Sequence, residues 1–222
     1  MPSHSQYILP QELALPPIRE AVFEIRFAAA KNSAANLLTA APRLSVPEAH
    51  VSVADGAVRL RVGAPYLGWA SHRERIDALL DALEREKLAG TVERISLKFV
   101  NLLEDLPPRQ LDALRVELRV NGDPVPEFGL QLRMELSDER FVRIIEIQPG
   151  GTAGPVVAAG DAGGLLLSLE CRRDIAGGDF WSQRADLLEN LQFESRALFF
   201  RLVTRATIEK FGPIYRQPPQ SE

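Results

Sequence analysis

Two adjacent prolines followed by an alternating segment constrain the fold of this chain more than any other feature. Pro16 and Pro17 fix the backbone φ angle and give the segment a stiff entry. Across residues 21–27 apolar and polar side chains then alternate, with Phe23 and Ile25 on the apolar side. Because successive side chains of a strand point to opposite faces, the pattern predicts a strand with one buried face.

The same period of two recurs along the chain. It predicts further strands over residues 50–53, 57–62, 94–103, 114–120, 128–136, 141–147 and 165–172. Asp55 and Gly56 separate the first two of these, and this dipeptide tolerates the positive φ angles of a tight hairpin turn. The pairs 50–53 with 57–62 and 128–136 with 141–147 are therefore predicted hairpins.

Helical periodicity is confined to fewer segments. Residues 71–88 carry Ile76, Leu79, Leu80 and Leu83 at helical spacing, and Ser71 with Glu74 fits a capping box. Residues 181–211 form a long apolar helical segment that ends before Gly212-Pro213. A weaker pattern predicts a helix over residues 33–44.

These elements predict an α+β fold of mostly antiparallel sheets with one long helix in each half. Pro107-Pro108 interrupts regular structure, so the segment 104–109 divides an N-terminal lobe, residues 1–104, from a C-terminal lobe, residues 105–222. We expect the two lobes to pack as one unit. The similar order of elements suggests a duplicated β-α-β-β-α-β-like unit.

Composition excludes several classes of protein. The chain has 222 residues, one cysteine, three histidines and a formal net charge of -4. A single cysteine excludes an internal disulfide, and so few thiols and imidazoles disfavour a structural zinc site. The N-terminal residues lack a signal peptide pattern, and no apolar run has the length of a membrane span, so we expect a cytoplasmic protein without membrane contact.

The familiar catalytic and nucleotide-binding motifs are absent from the sequence, which favours a protein that is not an enzyme. We identify no catalytic, cofactor-binding or metal-binding residue and expect no cofactor. His4, His50 and His72 lie far apart and are assigned to the surface or to a helix cap. Cys171 lies on the same side of its predicted strand as the apolar residues, so we expect it to be buried as a small hydrophobic side chain. Two aromatics in the loop 66–69 are interpreted as a lid on the core.

Four segments resemble one bacterial family. The opening strand matches a Pro-Ile-x-Glu-Ala-x-x-x-Ile-x-Phe pattern, and residues 94–101 match a central strand that ends in Asn101, with Phe99 in the place of a tyrosine. Residues 165–174 and 199–213 resemble the late strand and the final helix. The chain is similar in these segments to a sporadically distributed bacterial family of uncharacterised α+β proteins. The resemblance implies a shared fold and carries no catalytic signature.

Two surfaces are candidates for binding. An arginine-rich sheet face is predicted from the outward positions of several strands, with candidate residues Arg59, Arg61, Arg115, Arg119 and Arg133, joined by Arg26, Arg94 and Lys98. Such a face could bind an anionic partner such as a phosphate backbone, or its arginines could pair with interleaved glutamates across strands. The interleaved acids and the lack of outward aromatic residues favour the paired alternative.

The C-terminal helix is apolar on more than one side. Its second face must be buried between the lobes or against another chain, and the candidate interface residues are Leu198, Phe199, Phe200, Leu202 and Val203. We expect a protein partner, either a second copy or a different chain. The leading hypothesis is a non-enzymatic, macromolecule-binding protein of a horizontally acquired defence or toxin-antitoxin-like module. A nucleic-acid-associated protein that uses the arginine face, and an enzyme with an unrecognised site, are the alternatives.

Overall fold

The opening strand lies near the middle of a single large sheet. The computed structural model describes residues 9–28, 39, 43–88, 90–106, 110–125, 130–149, 164–175 and 180–215. Its strands are β1 (Glu12–Leu13), β2 (Ile18–Phe27), β3 (His50–Ala54), β4 (Ala57–Gly63), β5 (Val92–Leu103), β6 (Arg119–Val120), β7 (Asp123–Pro124), β8 (Leu132–Ser137), β9 (Val142–Pro149), β10 (Leu165–Asp174) and β11 (Pro213–Ile214). Its α-helices are α1 (Trp69–Arg85), α2 (Phe180–Leu202) and α3 (Arg205–Glu209), and Gln110–Ala113 forms a 3-10 turn.

Seven of these strands form one antiparallel sheet in the order β3-β4-β2-β5-β10-β9-β8. The predicted α+β class with mostly antiparallel strands is confirmed. β5 from the first half pairs along its length with β10 from the second half, so strands on both sides of the boundary at residue 104 belong to one sheet. Among the described residues, a hairpin, α1 and β5 follow β2, whereas the second half is a three-stranded meander followed by α2. The two halves therefore do not repeat one order of elements.

One face of the sheet carries the core. Phe23 and Ile25 of β2 lie opposite Leu97 and Ile95 of β5, and all four side chains are fully buried. α2 packs on β5 and β10, and α1 contacts β4 on the same apolar side. The alternation in the sequence produces this apolar face, because every second side chain of these strands points towards the helices.

The turn at Asp55-Gly56 forms the predicted hairpin. Both residues have positive φ angles, 51° and 73°, which match the right-handed twist of the flanking strands. The predicted capping box of the first long helix is wrong, because α1 begins after Gly68 at a φ of 92° and no side chain of the described residues caps it. Ser71 instead accepts a hydrogen bond from Arg75.

The predicted helix over residues 181–211 is interrupted after Leu202. Val203 forms an isolated bridge with Leu114, and Arg115 donates its backbone N–H to the carbonyl of Leu202. The same contact explains why the predicted strand over residues 114–120 is reduced to the two residues of β6. A segment distant in sequence thus donates a hydrogen bond to a free carbonyl at the end of the helix. The local periodicity of the sequence contains no sign of this contact. The predicted helix over residues 33–44 lies almost entirely outside the described residues.

The proposed interface on the C-terminal helix is corrected by the burial of its side chains. Leu198, Phe199 and Phe200 are at most 8% exposed, Val203 is fully buried, and Leu202 is partly buried against the same core. The sheet and the segment before β2 cover the second apolar face within the chain. Four of the five residues are therefore unavailable as a docking surface.

No helix among the described residues is both long and apolar enough to cross a membrane.

Candidate functional site

The second face of the sheet carries charged side chains in place of helices. Within the described residues, α1 and α2 both lie on the opposite side, and this face encloses a shallow hollow of about 720 Å³. The strand registers place seven basic residues on it, Arg26, Arg59, Arg61, Arg94, Lys98, Arg133 and Arg172. They also place six acidic residues there, Glu20, Glu24, Glu135, Glu146, Glu170 and Asp174. We call this surface the charged face.

Basic and acidic side chains of the charged face form ion pairs across strands. Lys98 Nζ lies 3.1 Å from Glu146 on a strand two places away, and Arg94 donates to Asp174 at 2.8 Å. Arg59 binds Glu24 on the neighbouring strand. Such cross-strand pairs each contribute a few tenths of a kcal/mol to about 1 kcal/mol. The paired alternative therefore describes the arrangement of these side chains, and the sequence pattern of acids predicted it.

At the β2 and β4 end of the charged face, the basic side chains are more exposed than the acids that they bind. The Glu24 side chain is 18% exposed and that of Glu20 is 14% exposed, whereas their partners Arg59 and Arg61 are 39% and 52% exposed. The seven basic residues also outnumber the six acidic ones, although the whole chain carries a net charge of -4. The charged face therefore has a small excess of basic groups, and over β2 and β4 these groups form its more exposed layer.

Guanidinium donors on this face remain available for a further acceptor. Arg59 and Arg94 each donate to their acidic partner through Nε, the donor nearest the sheet. Among the described residues, neither makes a hydrogen bond through Nη1 or Nη2. A guanidinium held in this way presents the planar pair of N–H groups that binds carboxylates and phosphates bidentately.

The five candidate arginines do not all meet. Arg59, Arg61 and Arg133 lie on the charged face, because the alternating pattern of their strands places these three side chains on the same side of the sheet. Arg119 belongs to the separate two-stranded sheet of β6 and β7 and pairs with Glu117. Arg115 follows the 3-10 turn and also lies outside the seven-stranded sheet. Arg172, which the sequence interpretation omitted, completes the face.

A cavity of about 320 Å³ lies on the other side of the sheet. Its walls are the segment before β2, the loop that precedes α1, the middle of α2 and the inward side chains of β5 and β10. Asn101 of β5 and Ser195 of α2 line it, and both are almost completely buried. Both are polar residues at positions where the sequence pattern requires an apolar, inward-facing side chain. This exception to the pattern is the signal in the sequence that identifies them as candidate site residues.

His72 lies behind the aromatic wall of this cavity. Its ring is 6.0 Å from Tyr66, 6.1 Å from Trp69 and 6.3 Å from Phe99, measured between ring centroids. The side chain is 1% exposed, and neither Nδ1 nor Nε2 has a hydrogen-bond partner among the residues that the structure describes. Burial, together with the positive charge of Arg75, lowers the pKa of His72 to about 4. Of the two alternatives for this histidine the surface is wrong, because the side chain is buried, whereas the helix cap describes its position, since its backbone N–H donates to the carbonyl of the N-cap residue Gly68. The 66–69 loop covers the cavity with its aromatic rings.

Cys171 is buried at an inward position of β10, as its parity predicted. Burial raises the pKa of its thiol to about 11, which disfavours the reactive thiolate. Across the parts of the chain that the structure describes, no three acidic, histidine or cysteine side chains converge as metal ligands.

Neither a protein-family profile, a curated protein nor a solved structure matches this chain. Its function must therefore be inferred from the charged face and from the cavity on the other side of the sheet.

Proposed function

We propose that the protein binds a protein partner through the charged face, with carboxylates of the partner meeting the outer guanidinium groups. The observation that carries the proposal is the Nε-anchored geometry of Arg59 and Arg94, which leaves their outer N–H groups for a further acceptor. Arg59 and Arg61 are also more exposed than their partners Glu24 and Glu20. A surface of mixed charge that is acidic on balance complements this layer.

A protein partner fits the charged face better than a nucleic acid does. The hollow is lined by charged, small polar and aliphatic side chains, and among the described residues it contains no aromatic ring on which a base could stack. Glu24, Glu146 and Glu170 lie between the basic residues and would repel a continuous phosphate backbone. A folded partner can instead place positive groups against these acids and negative groups against the arginines.

The wider proposal keeps the role expected from the sequence. The protein acts as a non-enzymatic binding component in the cytoplasm and belongs to the sporadically distributed bacterial family that its opening strand resembles. Its partner is another component of a defence or toxin-antitoxin-like module. The support for this wider role is the resemblance together with the absence of familiar catalytic motifs from the sequence.

Fluorescence anisotropy with two probes of equal charge tests the proposal. The probes are a labelled oligoglutamate peptide and a labelled single-stranded RNA. We expect saturable binding of the peptide that weakens with added salt, and weaker binding of the RNA. Arg59→Glu should reduce peptide affinity about tenfold, because it removes one ion pair and adds a repulsion of similar size.

Arg205→Glu provides the matched control. Its side chain lies on α3 and is 77% exposed, so the substitution makes the same change of charge away from the charged face. Equal effects of the two substitutions, or no binding of the peptide, would contradict the proposal. Tighter binding of the RNA than of the peptide would favour the nucleic-acid alternative instead.

A further inference from the structure

The cavity between α2 and the segment before β2 is largely apolar and aromatic. Five aromatic side chains line it, Tyr66, Trp69, Phe99, Phe199 and Phe200. Pro16, Pro17 and Ile18 close one side, so the stiff entry to the opening strand forms part of the wall. Its volume of about 320 Å³ equals that of about ten water molecules in the liquid, which is the size of a small aromatic molecule.

A cationic side chain with an unused donor lines this apolar cavity. Arg196 of α2 donates Nη1 to the carbonyl of Gln11 at 3.2 Å, and its guanidinium lies 5.7 Å from the centre of the Phe193 ring. Among the described residues, its Nη2 makes no hydrogen bond and its buried Nε has no hydrogen-bond partner. No carboxylate among the described residues forms an ion pair with it. Because this guanidinium lines the cavity without a carboxylate partner, its Nη groups can donate to the carboxylate of a molecule bound there.

Asn101 adds an acceptor to the same cavity. Its amide nitrogen donates to the carbonyls of Leu167 and Phe99, at 3.0 and 3.3 Å, and these two bonds fix the orientation of the amide. Among the described residues, no donor reaches its Oδ1. Ser195 uses its hydroxyl hydrogen on the carbonyl of Leu191 and keeps its oxygen as an acceptor. The cavity therefore offers one positive group and two acceptors within an aromatic wall.

We propose that this cavity binds a small aromatic carboxylic acid that carries a hydrogen-bond donor on its ring. The ring packs against the aromatic wall, the carboxylate accepts from Arg196, and the donor faces Asn101 or Ser195. A neutral apolar ligand would leave the guanidinium without its acceptor. This site is separate from the charged face and does not depend on the proposed function.

Isothermal titration calorimetry with two matched compounds tests the inference on the unmodified protein. The probe is 4-hydroxyphenylacetate, and 4-hydroxyphenylethanol is its counterpart with the same ring and hydroxyl but no carboxylate. We expect saturable binding of the acid at one site and at least tenfold weaker binding of the alcohol, because a hydrogen bond to a charged group is lost. Equal affinity of the two compounds, or no binding of the acid, would overturn the inference.

Arg196→Gln separates the role of the charge from that of the cavity. Glutamine keeps a long polar side chain and a good helix propensity, and circular dichroism verifies that the variant folds. We expect the affinity for 4-hydroxyphenylacetate to fall about tenfold and that for the alcohol to change less than about twofold. Arg205→Gln is the control and should leave both affinities unchanged. A loss of affinity for the alcohol as large as that for the acid would refute the role of Arg196.

Discussion

His72 gives this protein a dependence of stability on pH that can be calculated from its surroundings. The imidazole is 1% exposed, and within the described part of the chain both ring nitrogens lack a hydrogen-bond partner. Three aromatic rings surround it, those of Tyr66, Trp69 and Phe99. Arg75, one turn further along α1, is positively charged and also disfavours a positive imidazolium. The native protein therefore keeps this histidine neutral.

The size of the effect follows from the two pKa values. In the unfolded chain the imidazole binds a proton near pH 6.5, whereas in the native protein its pKa is lowered to about 4. Above pH 6.5 both states are neutral and His72 has no effect on the pH dependence. Between pH 6.5 and 4 the unfolded state binds the proton first, so the free energy of unfolding falls by about 3 kcal/mol in total. At pH 5 the loss is about 2 kcal/mol.

The substitution His72→Leu tests this reasoning in urea titrations at pH 7 and pH 5. The unmodified protein should lose about 2 kcal/mol more than the variant between the two pH values. At pH 7 the variant should be at least as stable as the unmodified protein, since the two unpartnered nitrogens are removed from the interior. His50→Leu, at an exposed position of β3, is the control and should lose stability as the unmodified protein does. An equal loss in His72→Leu and the unmodified protein would refute the argument.

Three further predictions concern the core. Cys171 should react with a thiol reagent at pH 8 only after unfolding in urea, because burial raises its pKa to about 11; rapid reaction of the native protein would contradict this. Gly164→Ala should lower the free energy of unfolding by about 1–3 kcal/mol, since the new Cβ would lie 2.8 Å from the carbonyl oxygen of Leu103; unchanged stability would show that the backbone can yield. Phe200→Ala should cost about 3–5 kcal/mol and leave the sedimentation coefficient unchanged, whereas a change in sedimentation would indicate a self-association surface.

The strands were predictable because their signal is local. The period of two in residues 21–27 reports which side chains face the core, and β2 buries Phe23 and Ile25 as the pattern requires. The hairpin at Asp55-Gly56 was predictable for the same reason, since the turn conformation depends on these two residues alone. The order of strands in the sheet depends on contacts between distant segments, and no single segment contains that information.

The errors in the sequence interpretation have non-local causes. The long C-terminal helix is interrupted because the segment around Leu114 pairs with Val203, nearly ninety positions later in the chain. Its apolar second face predicts burial either between the lobes or against another chain, and the structure buries four of the five candidate residues within the same chain. Arg115 and Arg119 were grouped with the charged face because their segment alternates, but that alternation does not continue into the seven-stranded sheet.

The two proposed sites share strands and can nevertheless be tested independently. β5 places Arg94 and Lys98 on the charged face, and it directs Asn101 into the cavity on the other side of the sheet. Because neighbouring side chains of a strand point to opposite faces, a substitution on one face leaves the contacts of the other in place. Arg59→Glu and Arg196→Gln lie on different elements and share no contact, so their effects should be additive in the double variant. Non-additive effects on the two binding reactions would instead indicate that the sheet couples the charged face to the cavity.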